Sequence, residues 1–389
     1  MQKQETHLKV STSWRCVRVV RSRSAKPFTR VRIPSPPPPT QLPANPAPYA
    51  KVAPHNKAGK HMDNTQKYTL GSFFTGLGGI DLGFEQTNKF QTIYANEIDP
   101  HPAKTFELNH TITIDPRDIT AITSDTIPNF DICLAGFPCQ TFSIAGHRQG
   151  FEDEKGRGNL FFELARIIQD KTPQVIFLEN VKNLETHDSG NTLKVILETL
   201  NAHGYHTTYK VLNAMHYGNI PQNRERIYIV GFLDENAYNN FTFPDPIPLT
   251  TPLDEVIDFH TKVDEKYYYT PGKYKGDIYE KLNETIDDPR AVYQWRRKYA
   301  RKNKSGVIPT LTANQGTGGH NVCIVKTEHG IRKMTPRECF NAQGFPAEFQ
   351  LPNDVADSRL YKQAGNSVCV PVIRRIAENI ATALDNKMA

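Results

Sequence analysis

Between residues 67 and 232 the hydrophobic positions fall into short apolar runs that alternate with stretches of helical period. Runs of this length, flanked by polar turns, are typical of buried strands. They predict strands at Thr69–Phe74, Phe90–Ala95, Asp131–Ala135, Gln174–Leu178, Tyr205–Leu212 and Ile227–Phe232. The intervening stretches predict helices at Ile80–Thr87, from Asp99-Pro100 onward, at Asn159–Asp170, and at Thr192–Leu200 with Gly204 just past its end. This alternation indicates an α/β fold, with a doubly wound, mostly parallel sheet and helices on both faces.

After Phe232 the alternation stops, and a series of prolines from Pro244 to Pro252 predicts a domain boundary. Residues 236–330 are rich in Tyr, Lys, Arg and Gly, and they indicate a smaller, irregular second domain. Residues 331–389 predict two further helices, Pro336–Gln343 and Val370–Leu384, which return to the first domain. The predicted parts of the chain are therefore 1–66, 67–235, 236–330 and 331–389.

Residues 1–62 differ in composition from the rest of the chain, with 12 Lys and Arg residues, one acidic residue and many prolines. Such a segment cannot bury a core, and we expect it to be disordered. It could be a transit peptide, a basic arm for nucleic acid, or an upstream extension with Met62 as the true start. The last is favoured because the first strand follows Met62 within a few residues.

Charge and cysteine content narrow the class of protein. The residues after 62 hold 35 basic and 40 acidic side chains, so binding of nucleic acid by this part would need a local basic cleft. No apolar run approaches the roughly 20 residues that span a bilayer. The six cysteines form no CxxC pair and no zinc-type spacing with histidine, which favours a reduced, intracellular protein without a metal site.

The first turn after a strand is rich in glycine, reading Phe74-Thr75-Gly76-Leu77-Gly78-Gly79. Glycines there let a ligand approach the backbone, and an acid roughly 20 residues later often binds ribose hydroxyls. Glu97 lies at that distance, at the end of the second strand. A dinucleotide fingerprint would place another glycine near position 81, where Asp81 stands. The pattern therefore favours a nucleoside ligand without a pyrophosphate, although many glycine-rich turns have only steric reasons.

Reactive side chains follow two other predicted strands. Cys139 comes directly after Gly136-Phe137-Pro138, where proline ends an apolar run, and Glu179-Asn180 ends the next strand. Because the carboxyl ends of parallel strands share one edge, a thiol and a carboxylate should face the same cleft. Each has an ordinary alternative, a buried hydrophobe for the cysteine and a helix cap or ion-pair partner for the glutamate. Cys133, inside the strand, is expected to be a buried hydrophobe.

Two arginines precede the last strand of the first domain. Arg224 and Arg226 are two residues apart, so a strand would point them in the same direction. Two guanidinium groups on one face suit a phosphate or a carbonyl oxygen. A solvated, charged entry to the strand is an equally good interpretation of this pair alone.

In this order, these motifs resemble the DNA (cytosine-5)-methyltransferases of the bacterial restriction–modification type. The matching segments are Phe73 to Gly79, Asn96-Glu97, Arg117-Asp118-Ile119, Gly136 to Gln140, Asn159-Leu160-Phe161, Glu179-Asn180-Val181, Gln222 to Arg226, Arg337-Glu338, Gln343 to Pro346, and Gln363 to Val368. One departure is Asn219-Ile220, which separates Gly218 from Pro221 where the family runs directly into a Pro-Gln turn. The resemblance implies the Rossmann-like fold of S-adenosylmethionine-dependent methyltransferases, with a target-recognition domain at 236–330.

The resemblance also implies roles for individual residues. Cys139 would be the nucleophile at cytosine C6, Glu179 would protonate N3, and Arg226, with Arg224 nearby, would hold the base. S-adenosylmethionine would be bound by Phe74, Gly76, Gly78, Gly79, Glu97, Ile98, Asp118, Ile119, Phe137, Leu160, Asn366 and Ser367.

The DNA contacts that the resemblance implies lie in two stretches. Gln140–Gly158, a polar loop beside the nucleophile, is expected to be a mobile lid, with contacts from Ser143, Ala145 and Arg148. In the recognition domain we expect contacts from Arg296, Arg297, Thr310, Leu311, Gln315, Gly316 and Gly319, with Gln315 to Gly319 filling the gap left by the flipped base.

The sequence thus predicts an enzyme that methylates C5 of a flipped-out cytosine in a short duplex DNA sequence. Two alternatives remain, a tRNA cytosine-5 methyltransferase of the same fold and a non-catalytic DNA-binding module. The expected partner is double-stranded DNA, without a metal or a membrane. By resemblance the protein is expected to be a monomer in the bacterial cytoplasm, associated with the nucleoid through DNA.

Overall fold

The fold, obtained as a computed structural model, is described for residues 67–138, 160–274, 276–296, 298–317 and 321–386. Its strands are β1 (Tyr68–Phe73), β2 (Phe90–Asn96), β3 (Ile132–Ala135), β4 (Val175–Val181), β5 (His206–Asn213), β6 (Gln222–Asn223), β7 (Glu225–Phe232), β8 (Tyr293–Arg296), β9 (Tyr299–Lys302), β10 (Ile308–Pro309), β11 (Cys323–Thr327) and β12 (Gly330–Lys333). Its α-helices are α1 (Gly79–Glu85), α2 (Pro100–Glu107), α3 (Leu160–Lys171), α4 (Asn191–Ala202), α5 (Ala214–Tyr217), α6 (Glu235–Asn240), α7 (Ile278–Thr285), α8 (Pro336–Asn341), α9 (Asp357–Asn366) and α10 (Val370–Asn386).

Six strands form the main sheet, in the order β2-β1-β3-β4-β7-β5. β1 to β4 are parallel to one another, whereas β7 runs antiparallel to both β4 and β5. The predicted fold class is confirmed, with a sheet that is mixed but mostly parallel. The antiparallel β7 matters for function, because its amino end lies at the same edge as the carboxyl ends of β1 to β4.

Both faces of this sheet are covered, as alternating side chains along the central strands require. On one face, Leu134 of β3 belongs to a core with residues of α1 and of the last helix, α10. On the other face, Cys133 belongs to a core with residues of α3 and α4. Cys133 is fully buried, which confirms the prediction of a buried hydrophobe. The end of the chain packs on the first sheet through α10.

Residues 236–330 are more regular than the sequence predicts. They contribute three strands to a four-stranded antiparallel sheet, in the order β12-β11-β8-β9. β12 ends at Lys333, beyond residue 330, where the sequence predicts a domain boundary. The predicted domain boundaries stay predictions. A further short parallel pair joins β6 to β10. These strands have no clear hydrophobic alternation; β9, for example, reads Tyr-Ala-Arg-Lys and is mostly exposed.

Two further differences affect the site. β4 extends to Val181, so Glu179 and Asn180 lie inside the strand rather than after it, because pairing with β7 continues to Val181 and Arg226. α9 is absent from the sequence prediction. Its residues are mostly polar, and half of them are buried against the rest of the chain.

Candidate active-site cleft

A cleft of about 650 Å³ opens at the edge of the main sheet where β1 to β4 end. This is the place where open α/β sheets bind their ligands, and the volume is in the range typical of sites for small molecules. The predicted residues that line it are Phe74, Gly76, Gly79, Glu97, Ile98, Asp118, Ile119, Phe137, Leu160, Glu179, Arg226, Asn366 and Ser367. The structure thus brings together side chains that are far apart in the sequence.

At the floor of the cleft, a buried carboxylate faces a guanidinium group. Glu179 Oε1 lies 3.1 Å from Arg226 Nε, and the side chains are 11% and 13% exposed. The antiparallel direction of β7 produces this pair, since Arg226 is aligned with Val181, two residues beyond Glu179. Burial raises the pKa of Glu179, and the neighbouring charge of Arg226, followed by that of Arg224, opposes this rise. A carboxyl group in such surroundings can hold or give up a proton nearer neutral pH than a solvated one.

The strand exit that precedes Cys139 is fixed to the floor of the cleft. Asn180 Nδ2 donates a hydrogen bond of 2.8 Å to the carbonyl oxygen of Phe137, and Asn180 Oδ1 accepts one of 2.8 Å from Val181 N. The Nδ2 group of Asn180 therefore joins β4 to the segment after β3, while its Oδ1 holds the amide through the next residue of β4. Cys139 itself lies outside the described residues, so its role stays a prediction.

The glycine turn and Glu97 form one wall. Glu97 Oε2 accepts a hydrogen bond of 2.9 Å from Gly76 N, and Oε1 accepts one of 2.7 Å from Asp99 N. Burial raises the pKa of Glu97, although these backbone donors oppose the rise. Phe74 has a φ of +51°, which is rare for a residue with a side chain. Such conformations concentrate at functional sites, where the surrounding structure maintains them.

Apolar groups flank the same wall. Ile98 is 62% exposed at the mouth of the cleft. The exposed Asp118 begins a short 3₁₀ turn, where its Oδ1 accepts hydrogen bonds from the backbone and side chain of Thr120. With Phe74, these residues provide apolar faces and a carboxylate edge suited to a planar heterocycle.

The opposite wall comes from α9 and the residues after it, which the sequence identified only in part. Asn366 and Ser367, for which the resemblance implies cofactor binding, line the cleft. Arg359, Lys362 and Gln363 of α9 also line it, and Lys362 Nζ donates to Asp99 Oδ2 at 2.9 Å across the cleft. Gln363 belongs to the matching motif and could have been chosen from it. Arg359 has no such signal in the sequence.

Two predicted site residues lie elsewhere. Gly78 does not line the cleft; it precedes α1 with a φ of +84°, and an added Cβ would lie 2.3 Å from His110 Nε2. The left-handed turn and the contact with His110 therefore both require a glycine at position 78. Arg224 is also absent from the lining and is 2% exposed. Arg224 stands between β6 and β7, so the strand period does not run through it, and the expected common direction with Arg226 stays a prediction.

The predicted DNA contacts divide in a similar way. Leu311 is fully buried in a hydrophobic cluster and Gln315 is 3% exposed, so neither side chain offers a free surface. The backbone of Gly316 packs on the ring of Tyr361. Thr310 Oγ1 donates to the carbonyl oxygen of Asn223 at 2.7 Å.

Arg296 is half-buried and donates to Asn321 Oδ1 at 2.6 Å. The remaining predictions, for Ser143, Ala145, Arg148, Arg297 and Gly319, and the expected lid at Gln140–Gly158, lie outside the described residues.

Neither a metal-binding cluster nor a membrane-spanning helix is present among the described residues. No group of three or more His, Cys, Asp or Glu side chains is arranged to hold a metal ion there. No helix in that part of the chain has the length and apolar character needed to cross a bilayer.

Known proteins resemble this chain over most of its length. The family model of the C-5 cytosine-specific DNA methylases matches residues 68–382. The Type II methyltransferase M.Bsp6I of Bacillus sp. (strain RFL6) is 59% identical over 311 residues, which are 80% of this chain and 98% of that protein. The Type II methyltransferase M.SsoII of Shigella sonnei is 40% identical over 322 residues, 82% of each chain. A solved structure of a Spodoptera frugiperda DNMT2 mutant shares the fold, with a TM-score of 0.62 at 20% identity over 81% of this chain and all of the other.

Proposed function

Since the chain belongs to the family of C-5 cytosine-specific DNA methylases, we propose that it transfers a methyl group from S-adenosylmethionine to C5 of a flipped-out cytosine in a short, specific duplex DNA sequence. The observation that carries this proposal is the buried pair of Glu179 and Arg226 at the floor of the cleft. Asn180, the residue after Glu179, bonds the carbonyl oxygen of Phe137 and so holds the segment that leads to Cys139.

The proposed nucleophile is Cys139. Carbon 5 of cytosine is a poor nucleophile, and addition of a thiolate at C6 makes it enamine-like, so that C5 can accept a methyl group. Covalent catalysis of this kind replaces one difficult step by easier ones. Loss of the C5 proton to a base then restores the C5–C6 double bond and expels the thiolate from C6. Return of the N3 proton to the Glu179 carboxylate restores the enzyme.

Glu179 is the proposed acid at N3 of the base. Thiolate addition places negative charge on the pyrimidine ring, and a proton supplied at N3 neutralises that charge as it develops. Burial raises the pKa of Glu179, which favours a carboxyl group that carries a proton when the base enters. Arg226 lies beside it and would donate to O2 of the cytosine, while keeping the carboxylate form of Glu179 paired.

The cleft fits S-adenosylmethionine in its chemistry. Glu97 would accept hydrogen bonds from the ribose hydroxyls, Asp118 would accept one from the adenine amine, and Phe74 and Ile98 would flank the adenine ring. The exposed surface of Ile98 supports this assignment, since an apolar side chain at a cleft mouth is suited to a planar ligand. When bound, the cofactor supplies an electrophilic methyl group on a sulfonium centre. Asn366 and Ser367 would form the opposite wall.

The duplex must release the target base, because C6 of a stacked cytosine is inaccessible to a side chain. We propose that the exposed parts of residues 310–316 and the basic residues near Arg296 bind the DNA around the flipped base. We also propose that the protein modifies DNA in a restriction–modification system and acts as a monomer in the cytoplasm. Relatives that are named Type II methyltransferases support the first of these statements.

Incubation with S-adenosylmethionine labelled in the methyl group tests the proposal. We expect label in duplex DNA, and bisulfite sequencing of DNA from cells that express the protein should show one methylated cytosine in a short recurring sequence. The Cys139→Ala and Glu179→Gln variants should lose methyl transfer, the second while still binding the cofactor. Label in tRNA alone, or full methyl transfer by Cys139→Ala, would contradict the proposal.

A further inference from the structure

A cluster of buried polar side chains lies between the cleft and the residues that follow β10. Gln222, Arg224 and Gln343 are at most 2% exposed, and we call them the buried polar cluster. Gln222 Oε1 accepts a hydrogen bond of 3.2 Å from Leu311 N, and Gln343 Nε2 donates one of 2.8 Å to the carbonyl oxygen of Ala364. Gln222 and Gln343 are joined to each other by a bond of 3.3 Å. The cluster therefore connects the segment at 311 with helix α9.

Arg224 makes this connection with a single guanidinium group. Its Nη1 donates to the carbonyl oxygen of Leu311 at 3.0 Å, and its Nη2 donates to the carbonyl oxygens of Gly365, at 3.1 Å, and Ser367. Within the described chain it has no ion pair with a carboxylate, and its Nε is buried without a partner. Burying a charge among neutral carbonyl groups is costly. A residue of this kind is better explained by a positioning role than by stability alone.

Helix α9 has different neighbours on its two sides. On one side its backbone touches residues 310–316, which we call the recognition segment. An added Cβ on Gly365 would lie 2.2 Å from the carbonyl carbon of Thr312 in this segment. The ring of Tyr361 lies close to Gly316, whose added Cβ would be 2.6 Å from Tyr361 Cδ2. The cleft is the other neighbour of the helix, since Lys362, Gly365 and Asn366 line it. A shift of residues 311–316 would therefore move the wall of the cleft with it.

We propose that Arg224 is a positioning residue that couples DNA binding by residues 310–316 to cofactor binding in the cleft. This inference rests on the proposed function. Arg224 holds the recognition segment through Leu311 and the cofactor wall through Gly365 and Ser367, so that an arrangement selected by one ligand is already in place for the other. Coupling of this kind is reciprocal, because each ligand must change the affinity of the other by the same factor. The factor expected for such a coupling is about 5–150-fold.

The test measures that factor in the full chain. S-adenosylhomocysteine, which cannot transfer a methyl group, is titrated calorimetrically in the absence and presence of a duplex that the wild-type protein methylates. The ratio of the two dissociation constants is the coupling factor. The variant is Arg224→Lys, because an ammonium group cannot bond three carbonyl oxygens in the fork geometry of a guanidinium group.

A matched control is Arg375→Lys. Arg375 also donates to two backbone carbonyl groups, those of Tyr217 at 3.0 Å and Asp245 at 2.9 Å, but it lies on α10, and neither it nor these partners line the cleft. A second test variant is Gly316→Ala, which leaves Arg224 intact and separates the recognition segment from Tyr361. If Arg224→Lys does not fold, the coupling factor of Gly316→Ala tests the inference in its place.

We expect the coupling factor to fall at least five-fold in Arg224→Lys and Gly316→Ala and to keep its wild-type value in Arg375→Lys. A wild-type factor of one would overturn the inference. So would an unchanged factor in folded Arg224→Lys or, if that variant does not fold, in Gly316→Ala. An equal loss in Arg375→Lys would also overturn it, since the effect would then be general to the fold. If the wild-type chain methylates no DNA, the proposed function fails together with the inference, whereas the other results leave methyl transfer intact and reject the coupling alone.

Discussion

The replacement of Arg226 by methionine tests the electrostatics of the cleft floor most directly. The variant removes the positive charge that lies 3.1 Å from Glu179 Oε1 and keeps an unbranched apolar stem in its place. In the wild-type protein, burial raises the pKa of Glu179 and Arg226 is the largest opposing influence. We therefore expect the pKa of Glu179 to rise further in Arg226→Met.

The size of the change follows from the short distance and the burial of both groups. An opposite charge within about 4–6 Å lowers the pKa of a carboxyl group, so its loss should raise the pKa of Glu179 further. Removing one partner of a buried ion pair costs about 3–5 kcal/mol, because the other charge is left buried and unpaired. An effect of about this size, at a pH where Glu179 is ionised, is large enough to measure by unfolding.

The sign of the pH dependence follows from proton binding. Between its ordinary pKa of 4.5 and the raised value, folded Glu179 binds more protons than the unfolded chain does. The stability associated with this group is therefore complete below pH 4.5 and is lost as the pH rises through the folded pKa. Because the folded pKa is higher in Arg226→Met, its loss of stability should extend to higher pH than that of the wild-type protein.

Two measurements check this. Urea unfolding at a series of pH values gives the difference in the free energy of unfolding between Arg226→Met and wild type, which should grow as the pH rises above 4.5. Carbon-13 NMR of labelled glutamate carboxyl groups gives the pKa itself, with Glu179→Gln to assign the signal. In the Glu179→Gln/Arg226→Met double variant the pH-dependent difference should vanish. The reasoning is refuted if Glu179 titrates at the same pH in Arg226→Met as in wild type.

Three further predictions concern the walls and the second sheet. Gly78→Ala should lower the free energy of unfolding by at least about 1–2 kcal/mol, since the left-handed backbone and contact with His110 both oppose a side chain; unchanged urea unfolding would disprove this. Glu97→Ala should weaken cofactor binding about 10–150-fold by calorimetry, the loss expected for hydrogen bonds to a charged group, and a change below about two-fold would remove Glu97 from the site. Arg332→Met should destabilise the chain by about 3–5 kcal/mol by leaving Glu338 buried and unpaired, and Arg332→Met/Glu338→Gln should recover part of that stability if the pairing is the cause.

The sequence determined the main sheet because its signals are local. Apolar runs such as the one that ends at Ala135 can be satisfied only in a buried strand, and Asp99 begins α2 as an N-cap, with its side chain accepting from His101 N. The glycine turn, Glu97 and Glu179 were found for the same reason, since residues at the carboxyl ends of parallel strands meet at one edge. The resemblance to a family of methyltransferases, which the comparisons confirm, added Asn366 and Ser367.

The second sheet could not be found in this way. Its strands are short and carry exposed charges, as in β9, so their hydrophobic pattern is weak and only pairing with β8 identifies them. The resemblance assigns Leu311 and Gln315 to DNA because they lie in the stretch that matches the family's recognition domain. Whether a side chain in such a stretch is buried depends on the element that covers it, here α9.

What the sequence by itself determined is therefore the kind of sheet, the edge at which the chemistry lies and most of the residues there. What only the tertiary structure decided is the partner of each side chain. Arg224 and Arg226 stand two residues apart, yet one pairs with Glu179 and the other bonds the carbonyl groups of Leu311 and Gly365. The physical reason is that spacing along the chain does not determine which distant groups pack against each side chain. The break between β6 and β7, and the return of α9 to the cleft, are set by contacts between residues distant in the chain.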